Sequence, residues 1–352
     1  MSGMWEEQLD SDYLDTGYDD PVYVRPSRRR NGIPFILLLV FLAAVGYLGW
    51  RIVYLKSPAQ KLIRTTIKPL VEKSDQQNNQ AVERCVQRIH DQFDVYRSRV
   101  PEFVDDLLSL STRGRVAWRM VTGGAVEQLV REKFEARIFS ADEFQNGLTE
   151  TVTQFFEEVS ANQNELYASV KVALGNHPDV NVQLPDLEQF RKQVSEEIVR
   201  AMENQAKGSV YQFVASMAAS ELAAMVAQRL VTQLLVRVLP GVVSGMGVTA
   251  GTASAGGAGG SAVGPLGTAA GIAVGFAVGM AVDWWLSSQY EKQLTDSLIN
   301  YLNQTESALI NGYTTTSQGK ETSQPGLKQV LREYCKQVRE AQLRCLSQAV
   351  AQ

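Results

Sequence analysis

Between Arg237 and Asp283 the chain runs for 45 residues without a charged side chain, and 13 of its 27 glycines fall inside that run. Many of them recur every fourth residue. Gly256, Gly260 and Gly264 form one register, and Gly267, Gly271, Gly275 and Gly279 a second, with Pro265 between the two. On a helix, residues four apart lie one above the other. Each row is therefore a groove without side chains, into which a second helix backbone can settle. Rows of small residues are the main way helices associate in lipid, where the hydrophobic effect gives no drive between them. These seven glycines are predicted to be helix-packing positions.

A helix must span about 20 residues to cross a bilayer core. Val231–Gly251 and Ala262–Val282 each reach that length, joined by Ser254–Ser261, and form a candidate hairpin whose glycine faces meet. Trp284 and Trp285 stand just past Asp283, at the level of an interfacial aromatic belt. A single crossing by the second arm and a protein-buried or flexible loop are the alternatives; Gly256-Gly257-Ala258-Gly259-Gly260 favours the flexible loop. The run resembles the glycine-zipper type of membrane segment over about residues 241–282, which implies self-association in lipid and nothing about a substrate.

A second uncharged run, Ile33–Trp50, reads as a transmembrane anchor at 33–55. Arg28, Arg29 and Arg30 flank it on one side, Arg51 on the other, and Trp50 lies at its far end among Tyr47 and Tyr54. Arg28, Arg29, Arg30, Trp50, Trp284 and Trp285 are thus the expected membrane-interface residues. A cleaved signal peptide fits less well, because the leader is long and its start is acidic. Lys and Arg counts on the two flanks nearly tie. The Arg triplet tight against the apolar run favours a cytoplasmic N-terminus and a bacterial inner-membrane location, with one pass or three. Residues 1–24 carry seven acidic side chains, no Lys or Arg, and Trp5, Tyr13, Tyr18 and Tyr23. Residues 1–30 read as a disordered acidic tail that docks a protein partner through those rings or stays solvated.

The remaining chain carries helical periodicity nearly throughout. Val82, Cys85, Val86, Ile89, Phe93, Tyr96 and Val100 make one stripe; Val126, Leu129, Val130, Phe134 and Ile138 another; Leu148, Val152, Phe155, Val159, Leu166, Val170 and Leu174 a third. Pro185-Asp186 restarts the pattern through Leu187, Phe190, Val194 and Ile198, with Asp186 as N-cap, in a helix expected to run on toward Leu239. Leu294, Leu298, Tyr301 and Leu309 precede a polar Thr/Ser/Gln stretch, Gly312–Gly326, which reads as a linker. A last stripe holds Leu327, Leu331, Tyr334, Val338, Ala341 and Cys345. Each stripe is one face wide and has to be buried against another helix. The predicted fold is an all-α membrane protein: an anchor, an antiparallel long-helix bundle over 57–235, a Gly/Ala-rich hairpin over 236–286, and C-terminal helices over 287–352 packing on the bundle.

Signatures of chemistry are absent or incomplete. A net charge of −4 lacks the basic excess of a nucleic-acid binder, so no nucleic-acid partner is expected. His90 and His177 have no second ligand at a helix-face offset, and no metal or cofactor is expected. Gly245-Met246-Gly247 with Ala250 imitates a dinucleotide fingerprint but lacks the preceding strand. The Gly319-Lys320 pair is followed by Glu321 where a phosphate loop needs Ser or Thr. Glu157-Glu158 and Glu196-Glu197 are adjacent on helices and point apart. Cys85, Cys335 and Cys345 read as buried thiols. In an oxidising compartment Cys85 could instead bridge to Cys345 or Cys335; Cys335 and Cys345 are roughly 15 Å apart along one helix and cannot pair.

The functional expectation is a non-enzymatic, membrane-anchored scaffold, in contact with the lipid bilayer, that homo-oligomerises through the glycine-rich hairpin. A pore-forming or membrane-remodelling protein that inserts the hairpin is the first alternative, and a transmembrane sensor the second.

Overall fold

The structure is a computed structural model; it describes residues 39–47, 58–112, 114–115, 118, 126–177, 183–203, 223–245, 273–282, 291–317 and 320–351. The acidic tail, Arg28, Arg29, Arg30, Trp50, Trp284, Trp285, Gly256, Gly260, Gly264, Gly267 and Gly271 lie outside the described residues. The chain divides into two compact units, Met1–Lys56 and Ser57–Gln352. In the first, residues 39–47 form a helix whose large apolar side chains are all exposed.

The second unit is a bundle of long helices. Helix α1 (Pro58–Leu62) passes through one π-helical turn, Ile63–Ile67, into α2 (Lys68–Leu108), the longest helix. Then follow α3 (Val126–Arg137), α4 (Ala141–Gly175), α5 (Leu187–Glu203), α6 (Ala223–Gly245), a helical stretch at residues 273–282, α7 (Glu291–Asn311), a β-hairpin and α8 (Leu327–Ala351). The expected continuation of α5 into α6 falls on residues 204–222, outside the described residues. Among the described residues no helix is long and apolar enough to cross a membrane. The described residues therefore carry the helical-bundle part of the expected fold.

The apolar stripes decide the packing. Val82, Cys85, Val86, Ile89, Phe93, Tyr96 and Val100 of α2 are all buried, as are Leu148, Val152, Phe155, Val159, Leu166 and Val170 of α4. The two stripes face one another. Polar pairs along their edges fix the direction: Lys73 meets Glu165, Asn78 meets Asn162, and Arg84 and Arg88 meet Glu158. Residue numbers rise on one helix as they fall on the other, so α2 and α4 are antiparallel. The same reasoning makes α2 and α8 antiparallel, because Asp75 meets Arg339 while Glu83 meets Lys328 and Arg332.

Helix starts are set by side-chain caps. The Asp186 carboxylate accepts from the Gln189 N–H at 2.8 Å, as expected for an N-cap. Ser140 accepts from the Glu143 N–H at 3.1 Å and opens α4 with the Ser-x-x-Glu spacing of a capping box.

The stretch expected to be a linker is an antiparallel hairpin instead. β1 (Gly312–Ser317) pairs with β2 (Lys320–Pro325) in a register from Gly312 opposite Pro325 to Ser317 opposite Lys320. The sequence of the two strands includes four threonines, a β-branched residue type that suits a pleated ribbon. Glycines close its base. Gly312 has φ +82°, and a Cβ there would stand 2.1 Å from the Gln324 carbonyl oxygen; one on Gly326 would stand 2.2 Å from the Gly312 nitrogen.

Candidate functional site

The helical stretch at 273–282 is where the glycine-rich block meets the bundle. From Ala273 to Val278 six successive residues are buried, Gly275 among them, and Ala281 is buried as well. A helix resting on a single neighbour buries a stripe; one buried on consecutive positions is surrounded. Gly275 and Gly279, four apart, are buried and half-buried. Their missing side chains allow close approach on that face. In isolation the stretch would be a poor helix, since each glycine costs about 1 kcal/mol relative to alanine. The packing around it supplies what propensity does not.

Helix α7 holds this stretch. The Phe276 and Tyr301 rings lie 4.9 Å apart between centroids. The Tyr301 hydroxyl donates to the Ala273 carbonyl at 3.1 Å, and burial pushes its pKa well above the usual phenol value. That bond satisfies the buried Tyr301 hydroxyl inside an apolar setting and ties it to the beginning of the stretch. On its other side α7 is pinned to α2 by Glu306, which is nearly buried. Its carboxylate takes His90 Nδ1 at 2.5 Å on one oxygen and the Arg97 guanidinium on the other. Arg97 also reaches Asn303 Oδ1 at 3.0 Å and Asp94 at 2.6 Å. His90 is thus hydrogen-bonded, the role its isolation in the sequence points to.

The outer seams of the bundle are ionic. Glu158 is partly buried, which alone would raise its pKa, but hydrogen bonds from Arg88 and Arg84 hold its carboxyl below the usual range. The Lys328 and Arg332 hydrogen bonds lower Glu83, and the Lys133 ammonium lowers Asp106. Asp75 goes the other way: burial raises it despite Arg339. These arrangements tie helix to helix.

Cys85, Cys335 and Cys345 are buried and free in this structure. The Cys85 thiol lies 3.9 Å from the Thr151 carbonyl. Burial pushes Cys85 and Cys335 up to about 12 and Cys345 to about 11. A thiol held protonated in this way is a poor nucleophile and a poor ligand. Among the described residues no group of three or more His, Cys, Asp or Glu could hold a metal ion. His177 ends α4, where its N–H donates to the Leu174 carbonyl at 2.9 Å.

Two concavities stand out among the described residues. An open apolar groove of about 640 Å³ lies between the π-helical turn and the end of α4, walled by Pro69, Leu70, Ala168 and Val172. A smaller cavity of about 270 Å³ lies between α4, α5, α6 and α8.

No family model, curated protein or solved structure matches the chain. Among the predicted site residues, the structure buries Gly275 and the three cysteines and half-buries Gly279. The link from Glu306 to His90 and Arg97 joins residues more than 200 positions apart. Periodicity is a local signal and carries no trace of such a link.

Proposed function

We propose that this chain is a non-catalytic, membrane-tethered helical interaction protein of bacterial inner-membrane type, with its glycine-rich block serving self-association. The run Ile33–Trp50 is the tether, with Arg28, Arg29 and Arg30 on the cytoplasmic flank. The observation that carries this reading is the helix at 39–47, where Leu39, Val40, Phe41, Leu42, Val45 and Tyr47 are each 48 to 65% exposed. A helix with every large apolar side chain uncovered calls for an apolar surrounding. Cysteine labelling at Ser57, Ser254 and Ser317 in intact and opened cells tests it. All three protected in the same compartment, opposite to a tag at the N-terminus, is the expected result. Accessibility of the tag and Ser57 on the same side sinks the tether, and opposite sides for Ser57 and Ser317 turn the reading toward a sensor.

Self-association is tested by cross-linking. Gly267→Leu and Gly271→Leu should each lower the yield of cross-linked oligomers while leaving helical content unchanged, and intact oligomers in both would remove the glycine rows as the assembly surface.

A second reading, insertion of the block into the bilayer, is favoured by the all-round burial at 273–278. An apolar stretch sheathed by amphipathic helices is suited to transfer from the protein interior to lipid. Purified protein should then release dye from anionic vesicles; tight vesicles with folded, bound protein decide against it.

A further inference from the structure

The cavity between α4, α5, α6 and α8 has one charged group in its lining, the Arg191 guanidinium, and no carboxylate. Its apolar walls are Phe156 and Val159 from α4, Val194 and Ile198 from α5, Val226 from α6 and Val338 from α8. Its polar lining is Arg191, Gln163, Tyr334 and the Ser160 and Ser195 hydroxyls. The Arg191 guanidinium bonds only the neutral Asn164 Oδ1, through Nε at 3.0 Å and Nη2 at 2.5 Å, and no carboxylate of the described residues pairs with it. Gln163 Nε2 is buried with no partner. The Tyr334 hydroxyl also lines the space, and burial raises its pKa, so it stays protonated and able to donate. A buried donor without an acceptor costs about 1–3 kcal/mol, and the unmet Gln163 donor beside a guanidinium without a carboxylate marks a place for an acceptor.

We propose that this cavity binds a small carboxylate carrying a short apolar tail. Arg191 sets the sign of the charge, because a guanidinium matches a carboxylate in a two-point geometry and has no competing anion here. Gln163 and Tyr334 complete the donor set, and the valines, Ile198 and Phe156 receive the tail. A volume of about 270 Å³ holds a chain of a few carbons and excludes a phospholipid. The site lies wholly within the bundle and does not depend on the tether.

Octanoate is the probe, titrated by calorimetry into the full chain in lipid nanodiscs, with octylamine and octanol as its isosteric controls and empty nanodiscs as the background. One octanoate per chain, bound about tenfold or more tighter than either control, is the expected result. Arg191→Gln, which keeps the apolar walls, should weaken octanoate by about tenfold, the effect of losing one charge-assisted pair. Val226→Trp should fill the space and abolish saturable binding, with circular dichroism confirming the fold. Octanoate binding no tighter than octylamine, or unchanged by Arg191→Gln, overturns the proposal. So does wild-type affinity in a folded Val226→Trp. If Val226→Trp does not fold, the Arg191→Gln comparison decides alone.

Discussion

Helix α6 and the stretch at 273–282 both draw on the uncharged glycine-rich block, yet they are packed by different rules. On α6 the buried residues come in two adjacent rows, Val226, Leu230, Leu234, Val238 and Val242 beside Ala227, Val231, Leu235 and Leu239. Arg229, Val236 and Arg237 lie off those rows, and Val236 is 47% exposed. This is an amphipathic helix with a wet side. The 273–282 stretch has no comparable wet face: consecutive positions are covered, and α7 supplies both a ring contact and a hydrogen bond to it. Low charge therefore does not assign one role. What separates the two arms is residue size, because α6 fills space with Leu and Val while 273–282 alternates Ala and Gly with larger groups and lets neighbours close in from several sides.

The largest expected effect comes from placing the same charge in both arms. Val278→Asp buries a carboxylate without a partner and should cost more than about 4 kcal/mol, enough to unfold the bundle. Val236→Asp adds the same group to an exposed position and should move stability by no more than about 0.5 kcal/mol. Denaturant unfolding followed by circular dichroism measures both. Equal effects would erase the distinction between the arms.

Overpacking gives the next step down. Gly275→Leu adds four carbons at a buried position and should destabilise by about 1–3 kcal/mol or more, while Gly279→Leu, at a half-buried position, should cost less. The ratio of the two thermal shifts reads how far the surround extends along the stretch.

Much of this bundle is written in the chain's periodicity. Val82 through Val100 and Leu148 through Val170 fall on one face each because a helix can bury only a stripe, and the stripes chose their partners. Asp186 was readable as a cap from its place before Leu187, and Ser140 with Glu143 carried an equally local signal. Gly312–Gly326 was misread for a physical reason. Its strands have no apolar alternation, and the hairpin rests on β-branched threonines together with two glycines whose closeness to each other is invisible until the chain has folded. The π-helical turn at Ile63–Ile67 likewise leaves no composition mark. Of the glycine registers, only Gly275 and Gly279 can be placed, and they pack within the chain. The cavity beside Arg191 was out of reach, since its four walls come from residues spread between Phe156 and Val338.

Acid separates the ionic seams from the buried arm at 273–282 by a different property. The seams of α2 with α4 and α8 contain Glu158 and Glu83, whose pKa values are lowered on folding by Arg88 and Arg84 and by Lys328 and Arg332. A lowered carboxylate contributes stability above its unfolded value, about 4.5 for Glu, and that contribution is lost as pH falls through the folded value. Asp75 opposes the trend, because its raised pKa makes protonation favour the fold. The net loss below about pH 4.5 should be small, since exposed pairs contribute about 0.2–1 kcal/mol each. Amide exchange should accelerate in α4 and α8 before it does at 273–282, where apolar contacts do not titrate. Simultaneous loss of protection would show that the seams and the buried arm open together.

The smallest effects test the hydrogen bond that each arm receives. Tyr301 donates to the Ala273 carbonyl in the interior, and Tyr313 of β1 donates to the Arg237 carbonyl on α6 at 2.5 Å. Each is removed by a phenylalanine that keeps the ring. Tyr301→Phe removes a buried hydroxyl donor with no water to replace it, while the Ala273 carbonyl keeps its helical bond, so about 0.5–1.5 kcal/mol should be lost. Tyr313 is only half-buried. Water can reach the Arg237 carbonyl after Tyr313→Phe, and the loss should stay below about 1 kcal/mol. If the two variants cost the same, solvent reaches Ala273 as readily as it reaches Arg237, and the 273–282 stretch is covered on one side only, like α6.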